Sequence, residues 1–137
     1  MKKFISYSVI FLILILTSCK KDPGPIVEPS PVPTYKVEFT QGENYKTVRK
    51  QLEFEKGTLI KGYNEKVLFS NEDLSSPSYV FETEGASGKL NLVLRIEDNG
   101  SSEITQFGFK VFKNGKQVLT MNQSASGNAT KEYFVSI

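Results

Sequence analysis

The sequence predicts an all-β domain, an immunoglobulin-like antiparallel sandwich of about seven or eight strands, built from residues 35–137. Three observations lead there. Apolar and polar residues alternate with a period of two from Tyr35 onward, turn residues interrupt the alternation every 12 to 15 residues or so, and no segment sustains the 3.6-residue period of a helix. A small barrel is the alternative architecture.

The strands follow in order. Tyr35, Val37 and Phe39 share one face of the first. Val48 to Glu55 places Val48, Leu52 and Phe54 on one side and Arg49, Gln51, Glu53 and Glu55 on the other. Lys50 interrupts the apolar side, which marks this segment as an edge strand. Lys66 to Ser70 is short and apolar, and Ser78 to Thr83 pairs Tyr79 with Phe81. Leu90, Leu92, Leu94 and Ile96 form the cleanest alternation, and Phe107, Phe109 and Val111 repeat it. Asn114-Gly115 within "VFKNGKQVL" is a strong hairpin signal, because a type I′ turn needs positive φ at both central residues. Further turns are expected at Gly85 to Gly88, Asp98 to Ser101 and Ser126 to Asn128.

The first 34 residues belong to a different regime. Met1, Lys2 and Lys3 are followed by an apolar run, Phe4 to Leu16, of signal-peptide length and too short to span a bilayer comfortably. The run ends in Leu16-Thr17-Ser18-Cys19, which holds the chain's single cysteine. This stretch resembles the lipobox of bacterial lipoproteins. The resemblance implies removal of residues 1–18, a diacylglyceryl group on the Cys19 thiol and acylation, such as palmitoylation, of the new amino terminus. Two or three acyl chains anchor durably where one does not. Lys20 differs from the aspartate that retains enteric lipoproteins in the inner membrane, and Lys20-Lys21-Asp22 is too basic for an acidic surface-export signal. The expectation is a lipid anchor in the outer membrane, facing the periplasm.

Residues 19–34 then read as a tether. "KKDPGPIVEPSPVPT", Lys20 to Thr34, contains all but one of the six prolines, so it favours an extended, semi-rigid polyproline II conformation. Charge limits the function further. Beyond Lys2 and Lys3 the remaining 15 basic residues balance 15 acidic ones, and a neutral chain lacks the basic face that nucleic acid requires. With no His, and its only Cys committed to lipid, the chain lacks the usual ligands for zinc, copper or haem and the usual bases of Ser-His and Cys-His catalysis. No cofactor or metal is expected.

A second resemblance covers residues 85–130. Gly85-Ala86, the Asn114-Gly115-Lys116 hairpin and the small-residue stretch Ser124 to Ala129 resemble the C-terminal half of the MmpS small β-sandwich accessory proteins, whose Pro-Trp motif and cysteines are missing here. It implies an accessory to a membrane transport complex. Other constellations read more simply. Glu97 to Glu103 is oxygen-rich enough for Ca²⁺ but lacks EF-hand spacing, and reads as a solvated turn. The sequons at Asn99, Asn122 and Asn128 report exposed polar loops. Glu82 and Glu84 share a strand face, as a glycosidase pair would, yet equally suit a solvent face paired with lysines. Tyr45, Tyr63 and Phe112 are the candidates for stacking on sugars. The expected function is therefore non-enzymatic: an envelope lipoprotein whose sandwich binds or supports a partner protein, with glycan binding as the alternative.

Overall fold

A computed structural model describes residues 32–85 and 88–137. Eight strands form: β1 (Tyr35–Gln41), β2 (Lys50–Phe54), β3 (Leu68–Phe69), β4 (Ser78–Glu82), β5 (Asn91–Ile96), β6 (Ser101–Lys113), β7 (Lys116–Gly127) and β8 (Lys131–Ser136). They make two antiparallel four-stranded sheets, ordered β4-β1-β6-β7 and β3-β2-β5-β8. The all-β sandwich expected from the alternation is the observed fold, with no helix among the described residues. The signal segment, Cys19, the tether up to Pro31 and the Ala86-Ser87 part of the predicted turn lie outside the described residues.

Period-two alternation sends one set of side chains from each sheet into the space between them. Val37, Phe39, Phe107, Phe109 and Val111 meet Leu52, Phe54, Leu92, Leu94, Ile96 and Val135 there, all buried. Phe39 stacks on Phe109 at 4.9 Å, and Phe81 packs tilted against Phe69 at 4.7 Å and edge-on to Phe54 at 5.3 Å. Offset and edge-on contacts are the geometries that aromatic quadrupoles favour.

The Asn114-Gly115 hairpin forms as predicted. Lys113 pairs with Lys116 around a two-residue turn, with φ of 50° at Asn114 and 78° at Gly115. Asn114 also binds the entry to β1: its Oδ1 accepts from the Thr34 amide at 2.9 Å, and its own amide donates to the Thr34 carbonyl at 2.9 Å. The hairpin tip thereby holds Thr34, the residue before β1, in place.

Three expectations need correction. β2 is not an edge strand, since it lies between β3 and β5. Its Lys50 points inward at 1% exposure, and its ammonium donates to the carbonyls of Tyr45 (2.7 Å) and Val48 (3.3 Å) and to Asn71 Oδ1 (3.4 Å). Three oxygen acceptors replace part of the hydration the ammonium loses on burial, so a lysine is accommodated in an interior strand. Asn122 lies mid-strand in β7, not in a loop. The turn expected at Ser126 begins later, because β7 continues through Gly127.

Candidate functional site

The sheet β3-β2-β5-β8 has an outer face whose rows follow from register. Leu68 stands beside Glu53, Glu53 beside Val93, and Val93 beside Phe134. The next row is Gln51, Arg95 and Glu132; the row on the other side holds Asn91 and Ser136. Phe134 projects outward because Tyr133 and Val135 take the inward positions of β8, leaving the ring 68% exposed. Leu68 is 44% exposed on the same row.

Glu53 separates Leu68 from the apolar pair Val93 and Phe134, and polar groups border that pair on both sides. The Arg95 guanidinium bonds Glu132 through Nε at 2.7 Å and Glu53 through Nη1. The hydrogen bonds that Arg95 donates to these two carboxylates, Glu132 first, raise the arginine pKa above its ordinary value. Opposite, Ser136 Oγ donates to Asn91 Oδ1 at 2.6 Å, and Asn91 Nδ2 donates to Glu55 Oε2 at 2.8 Å. A groove of about 410 Å³ runs beside Phe134, between it and Glu53, Glu55 and Lys56. The face thus presents an exposed aromatic ring bordered by polar side chains that satisfy one another's hydrogen bonds.

The residues singled out from sequence are dispersed. Glu82 and Glu84 do come together, lining a groove of about 580 Å³ with Lys36, Lys61 and Phe112. The lysines there are engaged, Lys61 with Glu82 at 3.0 Å and Lys36 with Glu38 at 2.7 Å while lying 4.3 Å over the Phe112 ring. Tyr45 lies in a different cleft of about 220 Å³ with Lys50, Asn71 and Glu72. Tyr63 packs edge-on against Phe69 at 4.9 Å, at the margin of the core. These three aromatics therefore form no common row for a sugar. The turn expected over Glu97 to Glu103 is confined to residues 97–100, since β6 begins at Ser101; there Asp98 Oδ1 accepts from the Gly100 amide and Asn99 Oδ1 from the Ser101 amide, while Glu103, on β6, accepts from Asn44. Among the described residues no three acids gather as a metal cluster. Phe134 was missed in the sequence, although the terminal "KEYFVSI" carries it.

The two packed antiparallel four-stranded sheets define an all-β sandwich. No protein-family model and no curated protein matches the chain. Two solved structures share the fold. One is the calcium-bound form of a protein from Parabacteroides distasonis, at 21% identity and a TM-score of 0.60, covering 80% of this chain and 99% of that one. The other is a DUF4425 family protein from Bacteroides ovatus, at 12% identity and a TM-score of 0.56, covering 77% of this chain and 94% of that one.

Proposed function

We propose that this protein is a non-enzymatic lipoprotein of the cell envelope, anchored through Cys19 in the outer membrane and facing the periplasm, whose domain docks a partner protein around Phe134. The observation that carries the docking reading is the Phe134 ring, 68% exposed within its polar frame. Burying such a ring contributes on the order of 2 kcal/mol to binding, enough to anchor an interface. Support for the anchor comes from Leu16-Thr17-Ser18-Cys19 and the proline-rich segment that follows. The MmpS-like turns make a component of a transport complex the partner class to test first.

Two measurements test the reading. Intact-mass spectrometry of the membrane fraction should find a chain beginning at Cys19 with a lipid-sized mass increase, and Cys19→Ala should abolish it. An unlipidated chain cut elsewhere would overturn the anchor. A photo-crosslinking residue at position 134 should capture one envelope protein in cells, and the same probe at Lys110, on the opposite face, should not. Equal labelling from both positions would overturn the docking face.

A second reading is calcium binding, favoured by the calcium-bound state of the Parabacteroides distasonis neighbour. The residues that would serve are Asp98, Asn99 and Glu103, whose oxygens would have to exchange their present amide partners for the ion. An amide NMR titration with calcium should shift residues 97–103 and Asn44. A spectrum unchanged at millimolar calcium sinks this reading.

A further inference from the structure

We infer that β7 is a self-association edge, pairing antiparallel with β7 of a second copy of this chain about a two-fold axis through Met121. Exposed sheet edges are ordinarily guarded by shortness, covering segments, charge or proline. Three of the four edges here are guarded. β3 has two residues. β4 is five residues long, follows Pro77, and is capped at its far end by the 59–61 segment, through the Ile60–Thr83 bridge and the bonds Lys61 N to Glu82 O and Glu84 N to Leu59 O. β8 carries Lys131 and Glu132.

β7 is less guarded: the Tyr133 hydroxyl donates to the Ser124 carbonyl at 3.0 Å, but no segment pairs along its open side among the described residues. It is 12 residues long and, among the described residues, pairs only with β6. From Gln117 to Gly127 it contains neither a charge nor a proline. Leu119 and Met121 point inward at the open margin of the sandwich and are only half-buried.

A second copy is the occupant that its chemistry fits. Antiparallel pairing requires inward-facing residues opposite inward-facing residues, and a two-fold axis on a strand residue ensures that match by symmetry. With the axis at Met121, Thr120 faces Asn122, Leu119 faces Gln123, Val118 faces Ser124 and Gln117 faces Ala125. No charge meets a charge. The same register opposes Met121 to Met121 and places Leu119 of each copy diagonal to that pair, whereas an axis at Asn122 would separate the two methionines and set Gln123 against each. The paired strands would join two four-stranded sheets into one of eight. This contact is separate from the Phe134 face and stands without the anchor.

The test uses the detergent-solubilised full chain. Light scattering in the micromolar range should give twice the monomer protein mass, and Asn122→Lys, a change on the outer face, should restore the monomer without altering the melting temperature. Mild oxidation should cross-link Met121→Cys to itself, because directly opposed residues of a non-hydrogen-bonded pair approach within disulfide reach. Gln117→Cys, far from its symmetry mate, and the wild type with its Cys19 should not cross-link. A monomeric mass, equal cross-linking from position 117, or capture of a different protein at position 121 would each overturn the assignment.

Discussion

Lys50 is the residue at which local pattern and tertiary context disagree most. Burial lowers its pKa from 10.5 to about 8, because the charged form loses hydration. Below pH 8 the lysine is protonated in both folded and unfolded chains, and the folded state bears the whole desolvation penalty. Between pH 8 and 10.5 the unfolded chain holds more protons than the folded one, so stability rises with pH, by up to about 3 kcal/mol across the window. Burial raises the Tyr133 pKa and acts in the opposite sense above pH 10. Urea unfolding at pH 7.5 and 9.5 should therefore find a rising contribution in the wild type that Lys50→Met lacks. Equal slopes in the two proteins would mean that the carbonyls of Tyr45 and Val48 fully replace water. The sequence could not reveal this arrangement, since those acceptors come from loop backbone whose path no side-chain pattern encodes.

At the level of elements, legibility followed contrast between neighbouring residues. β5 was readable because Leu92, Leu94 and Ile96 alternate with Asn91 and Arg95, and only Val93 breaks the polar side. β8 was not, because Tyr133, Phe134 and Val135 are consecutive apolar residues and a period of two then has no visible phase. The exposed ring of Phe134, the centre of the candidate site, was hidden for that reason. The β6–β7 hairpin lies at the other extreme, where two residues specify both turn and register. Gly115 sits at φ 78° with open space where a Cβ would project, so Gly115→Ala meets backbone strain without a clash. That substitution should lower stability by about 1–2 kcal/mol. Denaturant unfolding with an unchanged m-value would confirm a local effect, and a loss below 0.5 kcal/mol would show that the turn relaxes into another type.

For the whole molecule, the pairing order governs how the chain folds. β6 and β7 pair through a two-residue turn, but β1 must find β4 and β6, and β5 must find β2 and β8, across long stretches of chain. Loop-closure entropy precedes the reward of such contacts, so refolding should fall in the milliseconds-to-seconds range typical of sandwiches. The local hairpin is the cheapest structure to form first, and it presents Phe107, Phe109 and Val111 as the surface on which β1 assembles. β8 can dock only once β5 is in place, so its contacts belong late on the path. Stopped-flow kinetics should separate the two: Gly115→Ala should mainly slow folding, whereas Val135→Ala, which empties a buried position on β8, should mainly accelerate unfolding. If Val135→Ala slowed folding as much as Gly115→Ala, the nucleus would have to span both sheets, and the hairpin would lose its place as the template for the sandwich.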